Sequence, residues 1–577
     1  MLKRGWVALI GAAVVALAIP AVGQGATRAL VNTDSPSTPF PQNKQNEPAV
    51  AIDPMHPNIA VAGSNDEIDE PKCGGNECPF TQGIGNSGVY FSFNGGTSWS
   101  QPTYQGFSGR SGTGVGDTGC NGCGPGPIGT VPKYFEQGLV SDGDPGVAFG
   151  PAPRPDGSFS WSNGSRLYYS NLASNFNTRR KDFTFKGVES IAVSHVDNVE
   201  AAAAGGAAGK AAWHRPVVVT SQNQSSSTFS DKPAIGVDNA ATSPFFGNAY
   251  VCYSRFQSIG SEPVAIHVTR STDGGNTWAK PQRLTPSFDS PAQPGRQGCS
   301  VATDSHGVVY LVWEDTQHHQ SVFLMDRSFD GGKTFEKKPR VVANVTDVGQ
   351  FDNVRSISFD GIAGARTSSF PSLDIANGTP TGIGAPNTLA LGWSDGRQGL
   401  NNEHALVKLS SNRGNTWTVP RRMERRVDRP DFAFLSLSPD GRDLYVVYDG
   451  FTDPFRDNTT APRRFAGVVR HADVSGTSLN NRTTLHHGAV GDARASSANS
   501  LIDEFIGDYN TVDSTNADAL AVYNDASNAA VCPAMNVFRQ ATVDGTAGDE
   551  PAPGTDCPPT FGNTDIYSAA SADPTTP

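Results

Sequence analysis

Apolar and polar residues alternate along most of this chain in short runs, the period-two pattern of half-buried strands rather than the 3.6-residue period of amphipathic helices. The runs come in pairs. A first run opens with a polar or acidic residue near a Pro, passes through a turn, and leads to a second run that ends in an aromatic and a charge. The pair occurs seven times: EPAVAID to IAVAGSNDE, DPGVAFG to RLYYSNL, DKPAIGVD to AYVCYSRF, GCSVATD to VYLVWED, FPSLDIA to LALGWSDGR, DFAFLSLS to LYVVYDG, and DYNTVDS to ALAVYND. Two short strands joined by a tight turn and repeated in this way predict the inner half of a propeller blade. The expected fold is all-β: a single β-propeller of four-stranded antiparallel blades, seven by repeat count, or six if the first and last units complete one another.

A second pattern, Ser-x-Asp/Asn-x-Gly-x-x-Trp/Phe, follows four of the alternating runs: Ser92, Asn94, Gly96 and Trp99; Ser271, Asp273, Gly275 and Trp278; Ser328, Asp330, Gly332 and Phe335; Ser410, Asn412, Gly414 and Trp417. Such a segment suits a hairpin turn, because an Asp or Asn side chain can bond turn amides, Gly supplies a positive φ, and the aromatic can fold back beneath the turn. These segments resemble the Asp-box, or bacterial neuraminidase repeat, family of β-propellers, which includes sialidases, sortilin-like receptors and xyloglucan-degrading enzymes. The resemblance implies that the boxes join third to fourth strands on the face away from the ligand site and are structural.

Ahead of the first pair, Lys3 and Arg4 precede an apolar run from Trp6 to about Ile19 and small residues near Ala21, the layout of a secretory signal peptide over residues 1–23. Residues 24–45 and 545–577 are rich in Pro, Thr, Ser, Asn and Gly and read as poorly ordered ends of a propeller spanning 46–544. The Ala/Gly-rich segment within 196–230 reads as an insertion or exposed loop, and the Gly/Cys-rich stretch 104–135 as a long loop. An exported chain with eight cysteines favours disulfides. Cys252–Cys299 and Cys532–Cys557 are the expected bridges outside the tight pairs Cys73/Cys78 and Cys120/Cys123, which a zinc ion could instead bind. A formal charge of −12 argues against nucleic acid or an anionic membrane as partner.

Propeller geometry places the starts of first strands and the ends of second strands around one channel mouth. The starts hold Glu47, Asp144, Asp231, Asp431, Asp508 and Tyr509; the ends hold Asp66, Glu67, Arg255, Glu314, Asp315, Asp395, Arg397, Asp449 and Asp525; Arg296 precedes the fourth unit. These carboxylates are either solvated strand caps or a site in which like charges raise one another's pKa or gather a cation, with Ca²⁺ suited better than Zn²⁺. His318-His319 could offer metal ligands from a top loop. No EF-hand loop, GxSxG, HExxH, P-loop or dinucleotide motif occurs in a supporting context, and no cofactor is required.

The family resemblance implies three convergent arginines around a sugar carboxylate, a Tyr nucleophile assisted by a Glu, and an Asp acid/base; a Tyr avoids the repulsion a carboxylate nucleophile would meet. Arg255, Arg296 and Arg397 come from successive units, Tyr509 opens the last inner strand beside Asp508, and Glu504 lies just upstream. Glu47, Asp66, Asp144, Asp231, Asp315 and Asp395 would complete the binding surface. The chain lacks an Arg-Ile-Pro near its first strand, where the family carries its first arginine. The expected function is that of a secreted sialidase-like propeller acting on or binding glycans, the alternative a non-enzymatic propeller that binds a protein or cell-wall partner through its acidic mouth.

Overall fold

The computed structural model describes residues 25–33, 42, 44–73, 76, 78–114, 119–220, 224–257, 264–286, 296–318, 320–352, 356–358, 367, 369–498 and 501–574; the signal-peptide segment lies outside them. Seven antiparallel sheets follow one another along the chain, and their first strands wall a shared central cavity. These inner strands are Gln45–Ile52, Gly146–Pro151, Phe229–Val237, Arg296–Thr303, Ser372–Ile375, Arg429–Leu437 and Thr511–Ser514. Each pairs with the strand that follows it, so all seven strand pairs of the sequence are the inner halves of seven blades. Blade 1 is the irregular member: its sheet has three strands, and a single bridge from Phe91 to Ser100 marks the fourth.

Apolar faces of neighbouring sheets pack against each other. Tyr250, Cys252, Ile266 and Val268 of blade 3 meet Val301, Val309, Leu311 and Trp313 of blade 4 in one buried cluster, and the other interfaces repeat the arrangement. Each fully buried side chain of this size contributes roughly 1.5–3 kcal/mol. The four Ser-x-Asp/Asn turns share one hydrogen-bond network. In blade 3 the Gly275 amide donates to Ser271 Oγ (2.8 Å), the Thr277 amide to Asp273 Oδ1 (2.9 Å), and Trp278 Nε1 to the Gly275 carbonyl (3.2 Å). Equivalent Ser and Asp/Asn bonds recur in blades 1, 4 and 5. Arg166, Arg270 and Arg327 reach from one blade to a backbone carbonyl in the next blade's turn.

Both chain ends differ from the expectation of disorder. Asp565–Ala572 is the third strand of blade 7, and Thr27–Leu30 pairs with it as the fourth, closing the ring. Arg28 fixes the seam by stacking over Tyr567 at 3.4 Å and pairing with Asp525 at 2.9 Å. The Ala-rich insertion forms two short helices, Val199–Ala203 and Gly206–Ala212. Alanine is the best helix former, and the pair docks through a bond from Tyr104 Oη to the Ala202 carbonyl (2.9 Å). Within 104–135, Tyr104–Ser108 pairs with Gly124–Ile128 rather than looping freely. Disulfides join Cys252 to Cys299, Cys532 to Cys557 and Cys120 to Cys123, Cys78 is also disulfide-bonded, and no cysteine among the described residues is free. No helix among them is long and apolar enough to cross a membrane.

Candidate site at the channel mouth

Four of the seven inner strands enter the channel through an irregular first turn. The register with its neighbour slips between Asn46 and Ala49, Asp231 and Ala234, Gln297 and Ser300, and Asp431 and Phe434, the signature of a β-bulge. At that point Glu47, Lys232 and Phe432 hold φ of 57°, 52° and 49°, and Gly298 takes 60°. Asp144 stands in the same place ahead of blade 2, with φ 50°. Pro48, Pro145 and Pro233 follow directly and cannot donate to a ladder, which favours the slip. A left-handed non-glycine residue costs about 1–2 kcal/mol. Four of them circle this one opening.

The bulges bring together groups from distant parts of the chain. Asn65 Nδ2 donates to Glu47 Oε2 (2.7 Å), its Oδ1 accepts from the Asp144 amide (2.6 Å), and the Glu47 amide donates to Asn524 Oδ1 (3.0 Å), tying blades 1, 2 and 7. Lys232 of blade 3 is ion-paired with Asp508 of blade 7 and lies 5.3 Å from the Phe370 ring centre. Burial, then the charges of Glu47 and Asp231, push the Asp144 carboxyl well above its ordinary pKa against the pull of Lys232. Burial, then Asp144, Glu47, Asp508 and Asp231, likewise raise the Tyr509 phenol. Glu47, Asp144, Asp231, Asp508 and Tyr509 therefore share one electrostatic neighbourhood although four blades supply them.

Beside it, Asp431 and Asp449 face each other across the blade 6 ladder, both buried and both raised first by burial, Asp449 next by Asp431. Below the mouth a cavity of about 610 Å³ runs down the axis, walled by small apolar residues such as Ala49, Val147, Ile235 and Val301, with Lys232, Phe370, Phe434 and Tyr509 among its lining.

The other residues singled out from sequence do not join this cluster. Asp66 accepts from Tyr90 Oη (2.7 Å), Gln101 Nε2 (2.6 Å) and Gln45 Nε2 (2.9 Å) inside blade 1. Arg296 is buried against Asp315 (3.2 Å), and Arg397 grips Asp395 through Nε (2.6 Å) and Nη2 (2.7 Å) while bonding the Asn344 carbonyl. Arg255 lies along blade 3, where its charge acts on Tyr253 and His267. Glu504 is buried near Arg463 (3.8 Å) and Arg539 (3.7 Å), the latter on the helix Pro533–Val543. Arg296 and Arg397 are thus held by partners of their own rather than gathered into a clamp, and Glu504 belongs to a structural ion network. His319 lies outside the described residues. Lys232 and the aromatic rings Phe370 and Phe434 are the mouth groups that sequence inspection passed over; the Pro after Lys232 and Phe370 was the available signal.

A mouth of crowded carboxylates, with the Asp144 pKa pushed upward by burial and like charge, can accept hydrogen bonds from hydroxyl or ammonium groups and exchange a proton. The rings beside it offer faces to apolar C–H groups. No known protein-family model and no curated protein matches the sequence. Among solved structures it is similar to the Trypanosoma rangeli sialidase in complex with the inhibitor DANA, with 11% identity and a TM-score of 0.37 over 72% of this chain and 54% of that one. It is also similar to the Penicillium chrysogenum α-L-arabinanase complexed with arabinobiose (13% identity, TM-score 0.40, 77% and 98% covered). A third similar structure is the six-bladed fucose-recognising lectin of Aleuria aurantia (12%, 0.35, 78% and 97%). The match spans little more than half of the sialidase chain, and at these scores none of the three informs the chemistry of this mouth.

Proposed function

We propose that this chain is an exported, sialidase-like Asp-box propeller that takes a neutral or amino-bearing glycan into its channel mouth, with Asp144 as the proton donor and Asp508 as its carboxylate partner. The observation that carries this reading is the convergence of Glu47, Asp144, Asp231 and Asp508 with Tyr509 around Lys232 at the head of an apolar channel. A carboxyl kept protonated beside an ionised one is the pairing that glycoside hydrolysis uses. A sialic acid would need arginines that Asp315 and Asp395 already hold, and it would meet repulsion from the mouth. Tyr509, its phenol pKa raised, serves as a hydrogen-bond donor and ring platform rather than as a nucleophile.

A glycan array combined with fluorogenic glycosides, run on wild type and on Asp144→Asn and Asp508→Asn, tests this reading. Expected are retention of a neutral or amino sugar by wild type and loss of hydrolysis with retained binding in Asp144→Asn. A protein that retains no glycan and cleaves none contradicts the reading and leaves a basic protein segment as the ligand to test.

A further inference from the structure

The opposite end of blade 6 carries a group of side chains that the mouth does not use. His471 is fully buried between the second and third strands; its Nε2 lies 2.9 Å from Asp443 Oδ1. Its Nδ1 has no hydrogen-bond partner, and 3.9 Å away stands Asp473 Oδ1, also buried and also unpartnered. The Tyr445 hydroxyl beside them is a third orphan, its ring 5.2 Å from the imidazole. One ligand atom from each of Asp443, His471 and Asp473 falls within 4.8 Å of the others, the one such three-residue group among the described residues. Buried polar atoms without partners are costly, and these two face each other across 3.9 Å, a few tenths of an ångström more than the roughly 3.3–3.6 Å between two ligands of one tetrahedral ion, a gap that a small side-chain rotation closes.

We propose that this group binds a divalent transition-metal ion of the zinc class, with His471 Nδ1 and Asp473 Oδ1 as ligands. Asp443 accepts the Nε2 proton, which fixes the tautomer that presents Nδ1 as a lone pair, the carboxylate–histidine–metal arrangement. Imidazole nitrogen with carboxylate oxygen suits Zn²⁺ or Co²⁺ rather than an all-oxygen calcium site. Asp473 Oδ2 is held by Asn481 Nδ2 (2.5 Å), and the side chain as a whole is 26% exposed although its Oδ1 is buried, so the site lies close beneath the surface. The local backbone is irregular too, with the register to the fourth strand slipping between His471 and Asp473.

The place of the site in the fold indicates its role. Ala472 stands opposite Leu444 as Ser271 stands opposite Ala249, Ser328 opposite Val309 and Ser410 opposite Leu389. Blade 6 therefore lacks the serine that organises the turn in blades 3, 4 and 5. Both ligands lie on the third strand, and Asp443 of the second strand is held through His471 Nε2, so the ion would brace this end of the blade at the level where the turn network does so elsewhere.

The test uses the full secreted chain without a polyhistidine tag, stripped with chelator and dialysed. Titration with ZnCl₂ and CoCl₂, followed by calorimetry and thermal unfolding, should show one equivalent bound at micromolar or tighter Kd and a rise in Tm. Co²⁺ should add a visible absorption band. His471→Asn should abolish binding, and Asp473→Asn or Asp443→Asn should weaken it at least tenfold. Asp473, being partly exposed, decides the matter should the His471 variant fail to fold. Absence of Zn²⁺ and Co²⁺ uptake by wild type, uptake unchanged in Asp473→Asn, or displacement of Zn²⁺ by equimolar Ca²⁺ would each overturn the assignment. So would stability that responds to pH through His471 but not to Zn²⁺.

Discussion

The two faces of the propeller use acidic residues in opposite ways. On the turn face Asp273 and Asp330 sit in water and are saturated by their own neighbours, each accepting from an amide and a hydroxyl four residues on. Burial is the largest single influence and opposes the ionised form, but the bonds from Thr334, Ser328 and Lys333 together outweigh it and hold Asp330 at about 2. At the mouth the carboxylates crowd one another, Glu47, Asp144 and Asp508 are buried, and Glu47 and Asp144 ride on left-handed backbone. A residue satisfied within its own turn stabilises the fold locally and repeats easily. A residue held at energetic cost by four blades together is what a ligand site requires.

The sharpest way to break this comparison is to neutralise three acids at a time. Asp144→Asn, Asp231→Asn and Asp508→Asn together should abolish glycan retention on an array, whereas Asp273→Asn, Asp330→Asn and Asp440→Asn on the other face should leave it within a factor of two. Equal losses would show that the mouth acts only as bulk negative charge. Next in size, Trp278→Ala should cost about 2–4 kcal/mol in urea unfolding, since it removes an aromatic packed under its turn, with mouth binding intact in the folded fraction.

Acidity separates the faces further. The channel residues Asp374 and Asp513 are raised to about 6 and about 7 by burial against their backbone hydrogen bonds. An acid whose folded pKa lies above its unfolded value is fully stabilising below about pH 4, and that contribution is lost as pH rises through 6 and 7. The free energy of urea unfolding should therefore fall between about pH 4 and 7, by up to about 1.4 kcal/mol per pH unit per group, and Asp513→Asn should flatten the slope. Asp330 works in the reverse sense: its contribution is present above about pH 4 and lost only as pH falls toward 2. The smallest expected effect is also the most telling: Asp144→Gly should raise stability by about 1 kcal/mol, because it relieves the φ of 50° and the burial of a carboxyl among like charges, while it removes hydrolysis. A loss of stability on that change would show that the strain is repaid locally and is not a mark of function.

Strand alternation made all seven blades legible, because each inner pair buries both faces against neighbours and leaves no freedom of register. The same register put Glu47, Asp144, Asp231, Asp508 and Tyr509 in one neighbourhood, and the expected Cys252–Cys299 and Cys532–Cys557 bridges are present. What stayed hidden was partnership. That Arg397 folds onto Asp395 two residues away, or that Arg539 from a distant helix lies beside Glu504, depends on packing that no periodicity reports. The left-handed bulges were invisible for a similar reason: Glu47, Asp144 and Lys232 are poor signals for a conformation usually written with glycine. The end strands were missed because their pairing spans nearly the whole chain.

That seam dictates the order of events when the protein is made. Strand Thr27–Leu30 is among the earliest described parts to leave the ribosome, and its partner Asp565–Ala572 among the last. Blades 2 to 6 can form while synthesis or translocation is still under way, but the ring cannot shut until the final strand arrives. Until then blade 7 lacks its third strand, its outer strand Thr27–Leu30 has no partner, and the nascent chain carries open edges that other chains could extend. The yield of ring-closed protein, read by protease resistance, should therefore fall steeply when synthesis is stopped before Asp565.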